Sequence, residues 1–193
     1  MRSVGIAQRA VELCHYYGRG LYSFHPGFRL EESLELGFEL SSSRVVPYER
    51  AFRTFCRSVE EILQSSRGLG VRVALENLEH KNQAYMMTRP EEFLRFQELF
   101  PEVGVLLDLG HLKIASRLLG FRATDFLNAV RDNVLEIHIH ENDGRVDLHQ
   151  EPLGGDLIGL LEDVDCETIV LECRNLDMER ILLNLQALKK AFI

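Results

Sequence analysis

The sequence has no surplus of positive charge, no long hydrophobic run and no paired cysteine motif, and each absence narrows what it can do. The 22 Lys and Arg stand against 30 Asp and Glu, a formal net charge of −8. No basic stripe therefore offers itself to a phosphate backbone or an anionic membrane, and nucleic acid is not a favoured partner. No stretch approaches the ~18 apolar residues that span a bilayer, and the segment from Met1 to Arg9 breaks before a signal-peptide core can form. A cytoplasmic protein with no membrane partner is the expectation. Cys14, Cys56, Cys166 and Cys173 lack the C-x-x-C spacing of zinc ribbons or redox motifs and read as buried thiols in a reducing compartment.

What is present is an α/β pattern. Across 193 residues, 46% of them hydrophobic, short apolar runs alternate with helical periodicity, as a parallel sheet requires. The runs are Leu21 to Phe24, Val71 to Leu75, Val103 to Leu107, Val134 to His140 and Thr168 to Leu171. Helices are expected from about Ala7 to Gly18, from Tyr48 to about Ser65, around Phe93 to Phe100, through Phe126 to Val130, weakly near Leu157 to Leu161, and through Ile181 to Leu188. One domain over residues 1–193 accommodates these five βα units. Residues 28–48, with Gly37 and Ser41-Ser42-Ser43, read as a long loop and a candidate lid.

The chemistry sits at the downstream ends of the runs. Glu76, Asp108, His111, His138 and Glu172 each lie at or just past such an end, where parallel α/β folds build their active sites. In the fourth run, Glu136, His138 and His140 alternate with Ile137 and Ile139, so the ionisable groups share one face. Arginine pairing is the competing role for these carboxylates, but Arg29, Arg72, Arg122 and Arg174 form no matching set. His15, His80 and His140 are read as ordinary core or surface histidines. Asn77, Asn142 and Asn175 stand close to candidate ligands, with turn capping the competing role.

The segments Phe24-His25-Pro26-Gly27, Leu75-Glu76-Asn77, Asp108-Leu109-Gly110-His111, His138-Ile139-His140 with Asp147-Leu148-His149, Leu153-Gly154-Gly155 and Leu171-Glu172 resemble the successive strand ends of the endonuclease IV and xylose-isomerase-like superfamily. The resemblance implies a (β/α)8 barrel of which about five units are present and three upstream units are missing. It implies a first zinc on His25 and Glu76, with Glu76 bridging to a second that also takes Asp108, His138 and Glu172. A third zinc would take His111, Asp147 and His149. Zinc, up to three ions, is the implied cofactor, with manganese also compatible with this N/O donor set.

Three functions follow. The first is a metal-dependent phosphodiester hydrolase acting on abasic DNA or a small phosphodiester, with Glu76, Asp108 and Glu172 as catalytic residues; the pair Asp147 and His149 beside His111 favours it. The second is an isomerase or epimerase of a sugar or sugar phosphate, in which Glu76 and Glu172 flank one metal. The third is an N-terminally incomplete barrel, inactive or partner-dependent, that forms homo-oligomers through open sheet edges.

Overall fold

Five apolar runs become five parallel strands in the computed structural model, which describes residues 2–31, 44–153 and 155–191. They are β1 (Leu21–Phe24), β2 (Arg72–Glu76), β3 (Gly104–Asp108), β4 (Val134–Ile139) and β5 (Ile169–Leu171). Their order in the sheet is their order in the chain, β1-β2-β3-β4-β5. A doubly wound sheet reverses direction at a switch point, whereas this one steps the same way at every crossover. Right-handed crossovers then place the connecting helices on one face, which is barrel winding. The result is a half-barrel with β1 and β5 at its two edges.

Alternation along the strands separates the faces. Val73, Leu75, Val105, Leu107, Ile137 and Ile139 point toward the helices and join one apolar core with Phe52, Phe93, Phe96 and Phe126. The opposite face carries Ser23, Ala74 and Gly104 and then Glu76, Asp108 and His138, as the pairings Ser23 with Ala74, Ala74 with Gly104 and Asp108 with His138 show.

One irregularity decides which residue of β4 stands beside Asp108. The β3–β4 register shifts after Val105, which pairs with Val134, so that Leu106 meets Glu136. Without this bulge Asp108 would face Ile137; with it, Asp108 pairs with His138. Leu135 is the extra residue, and a side chain at Gly104 would overlap it. The glycine thus makes room for the bulge that brings the histidine to the acid.

The helices are α1 (Arg2–Tyr16), α2 (Tyr48–Ser66), α3 (Pro90–Leu99), α4 (Leu109–Leu119), α5 (Ala123–Val130) and α6 (Met178–Ala191). On α2 the buried Phe52, Phe55, Val59, Ile62 and Leu63 recur at three- and four-residue spacing. Helix α4 is not among the sequence expectations. It leaves β3 with no intervening loop: Asp108 ends the strand and caps the helix, accepting from the His111 N–H at 2.7 Å. Leu109, Gly110, His111, Leu112, Ile114 and Ala115 are buried, while Lys113, Ser116 and Arg117 form a short polar stripe on its outer side.

Three further expectations change. The weak helix near Leu157 is a 3-10 helix, Leu157–Asp163. All four cysteines are free but only half-buried, not buried. Helix α6 buries Asn184 and Leu188 while Leu182 and Leu185 of the expected apolar face are exposed. Residues 32–43 of the candidate lid lie outside the described residues; its flanks meet in an antiparallel bridge between Leu30 and Val45. No helix among the described residues is long and apolar enough to cross a membrane.

Candidate metal centre

The carboxyl ends of the strands bring the candidate ligands to one rim. Donor atoms of Glu76, Asp108 and His138 all lie within 4.8 Å of one another. Glu172 follows β5 and joins them through His138, whose Nδ1 is 3.2 Å from Glu172 Oε2. His25, just past β1, places Nε2 2.8 Å from Glu76 Oε2. Asn77 keeps β2 and β3 in step beyond their last paired residues: its side chain donates to Asp108 O at 2.9 Å and accepts from Asp108 N at 2.8 Å.

A second group forms around Asp147. The loop after β4 folds back through paired Glu141 and Gln150 backbone hydrogen bonds, which returns Asp147 and His149 to the rim. His149 donates from Nδ1 to Glu172 O at 2.8 Å, leaving Nε2 3.0 Å from Asp147 Oδ2. His111 likewise donates from Nδ1 to Asn77 O at 3.0 Å, and its Nε2 is 3.8 Å from the same Asp147 oxygen. Two imidazoles with one nitrogen pinned to a backbone carbonyl and the other turned to a shared carboxylate have the arrangement of oriented metal ligands. His149 holds φ at +49°, a left-handed backbone uncommon for a residue with a side chain.

Protons answer the charge of this acid-rich cluster. Burial lowers the His111 pKa, but Asp147 and Glu76 beside it outweigh that and push it up to about 12. His138 is pushed up to about 10 in the same way, burial being outweighed by Glu136 and Glu172. Burial raises Glu76, yet His111 and His25 hold it down at about 2; Asp147 is held low by His111 against its own burial. A divalent cation would displace those imidazole protons, since a ligating histidine is neutral. The donor set fits such an ion. Among the described residues, Asp108 Oδ2 and Asp147 Oδ1 are buried without a hydrogen-bond partner, and carboxylate with imidazole suits zinc or manganese.

All eight sequence candidates, His25, Glu76, Asp108, His111, His138, Asp147, His149 and Glu172, are thus at the rim, with His25 the most exposed. Two residues that the sequence reading leaves out stand with them. Glu79, 6% exposed, lies 3.5 Å from His111 Nε2 and pairs with Lys81; only its position three residues past a strand end marks it. His140 is fully buried with Nε2 3.1 Å from Asp108 Oδ1. It begins the loop after β4 instead of ending the strand. Asn142 donates to Gly110 O and caps its own turn, while Asn175 sits in a left-handed turn position. A cavity of about 520 Å³ opens beside β1 between α1 and α2, touching His25 alone of the candidate ligands.

A half-barrel whose strand ends gather carboxylates and imidazoles defines a protein of the TIM-barrel class. Within that class the chain belongs to the xylose isomerase-like TIM-barrel family, whose model matches residues 1–183. An uncharacterized protein of Methanocaldococcus jannaschii is 28% identical over 102 residues, covering 53% of this chain and 37% of that one. Among solved structures, a D-tagatose 3-epimerase-like protein superposes with a TM-score of 0.71 at 19% identity, over 96% of this chain and 66% of its own. The 3-keto-D-glucoside 4-epimerase of E. coli gives 0.66 at 16% identity, over 98% and 70%. The chain therefore spans about two thirds of the length of these structures.

Proposed function

We propose that the protein is a divalent-metal-dependent isomerase or epimerase acting on a sugar or sugar phosphate. The observation that carries this reading is the placement of two glutamates around one centre: Glu76 on β2 within the Asp108–His138 group, and Glu172 after β5, reaching it through His138. The epimerase names of the two structural neighbours support it. A bound divalent cation supplies polarisation of the substrate carbonyl, which acidifies the adjacent C–H. One glutamate oxygen takes the proton from that carbon, and the other glutamate returns a proton to the opposite face. Glu172 is the more accessible of the two, its side chain 40% exposed against 7% for Glu76.

The group around Asp147 favours a second reading, phosphodiester hydrolysis, because additional metal ions suit in-line displacement at phosphorus and are not needed for proton transfer. Deuterium exchange separates the two. In D2O with manganese or zinc, an isomerase or epimerase should introduce deuterium beside the carbonyl of a ketose or ketose phosphate, seen by NMR, and Glu172→Gln should stop it. Absence of exchange across a panel of ketoses, together with cleavage of bis(p-nitrophenyl) phosphate, would replace the first reading with the second.

A further inference from the structure

We propose that Lys113 is a positioning residue for the cluster around Asp147: by holding Glu141 and Asp156 together, it seats the loop after β4 so that Asp147 and His149 meet His111. This rests on the metal-dependent reading above and deepens it, naming what assembles a second cation position. His111 belongs to α4, whereas Asp147 and His149 belong to the loop. Their convergence therefore depends on how the loop is fixed to the helix. At the base of the loop, the Glu141 N–H donates to Gln150 O at 2.7 Å and the Gln150 N–H to Glu141 O at 2.9 Å. One bridged pair is a weak hold, since even a full two-stranded hairpin is marginal in water.

Helix α4 supplies the rest. Asn142 donates to Gly110 O at 2.9 Å and Arg117 to Asp143 O at 2.6 Å. The Lys113 ammonium lies 2.6 Å from Glu141 Oε1 and 2.9 Å from Asp156 Oδ1, so one charge spans the helix, the start of the loop and the segment beyond its end. Lys113 stands two residues beyond His111 on the same helix. A contact that fixes Glu141 to Lys113 therefore fixes the loop relative to His111.

Of these ties, that of Lys113 answers a buried charge. The Glu141 side chain is 13% exposed. Its Oε1 also accepts from the Asn142 N–H at 2.8 Å, and its Oε2 is buried without a hydrogen-bond partner among the described residues. Gly155 closes over this oxygen, since a side chain there would overlap it. Without the ammonium the carboxylate would be buried and uncompensated, and its escape to water would pull on the Glu141–Gln150 pair. Lys113 thus acts on the cation position through Glu141 and the loop, not as a ligand.

The test uses the full chain, stripped of metal and titrated with zinc against a chromophoric chelator, with cobalt(II) absorption as a second readout. Wild type should bind two equivalents, and the one that His149→Ala loses is the one held at Asp147. Lys113→Met, which keeps the aliphatic stem, should bind that equivalent about 10- to 100-fold more weakly and shift its cobalt bands. The equivalent at Glu76, Asp108 and His138 should keep its affinity. Lys113→Met/Glu141→Gln should fall between the single variant and wild type, because it loses the tie but leaves no uncompensated carboxylate. A lysine that serves stability alone would change both equivalents alike or neither, and either result in a folded Lys113→Met would overturn the proposal. Should Lys113→Met fail to fold, the double variant decides: weaker binding at the His149-dependent equivalent supports the proposal, and wild-type affinity there refutes it. A wild type that binds a single equivalent would also refute it, whereas one that binds no zinc would strike the metal-dependent reading beneath it.

Discussion

Along β2, β3 and β4, adjacent residues of one strand occupy opposite environments. Leu75, Leu107 and Ile137 face the helices at 0% exposure, each completing an apolar layer. Their neighbours Glu76, Asp108 and His138 face the other way, into a cluster of charge. One face gains by excluding water from hydrocarbon; the other gathers carboxylates, whose mutual repulsion costs free energy unless protonated imidazoles or a bound cation offset it. Stability and chemistry are therefore carried by alternate residues, and substitutions on the two faces should have separable effects.

The strongest way to break that separation is to attack the apolar face. Phe93 is fully buried and meets Phe126 edge-on at 5.0 Å. Phe93→Ala should cost about 3–5 kcal/mol in denaturant unfolding, yet the fraction still folded should bind zinc as wild type does. A folded Phe93→Ala protein with weakened zinc affinity would show that the faces are coupled.

Gly104→Ala should sharpen the comparison, because Gly104 serves both faces. The added methyl displaces Leu135 at the bulge, at about 1–3 kcal/mol for overpacking. It also disturbs the register that sets His138 beside Asp108. Unfolding and zinc titration should both report a loss, where Phe93→Ala changes only the first.

This bulge also shows where sequence reading stops. Strand ends at Phe24, Leu75, Leu107 and Leu171 are legible because apolar runs break there into polar or turn residues. The side of β4 that faces inward is legible from the alternation of Ile137 and Ile139 with Glu136 and His138. The register between β3 and β4 is not, since it depends on contact between Gly104 and Leu135, 31 positions apart. Helix α4 is hidden for a different reason: Asp108 both ends β3 and caps the helix, so no turn residue separates it from the strand. His140 and Glu79 are set apart from other polar residues only by their burial beside Asp108 and His111, a tertiary fact.

The smallest effects belong outside both faces. Arg180 on α6 pairs with Glu151, which also accepts from Asn184 at 3.0 Å. The arginine side chain is 43% exposed, so solvent screens the pair and Arg180→Ala should lower stability only slightly. Thermal unfolding should detect that loss, while zinc affinity stays unchanged.

Zinc titration of metal-free wild type beside Asp108→Asn tests the central claim most directly, that the charged face is a cation site. Asparagine caps a helix as well as aspartate does, so α4 should keep its start while the central carboxylate loses its charge. Wild type should bind zinc saturably, with about 2.7 kcal/mol of added stability at a hundredfold excess of free zinc over Kd. Asp108→Asn should fold and bind at least about 100-fold more weakly. Absence of saturable zinc binding by wild type, or equal binding by a folded Asp108→Asn, would contradict the account.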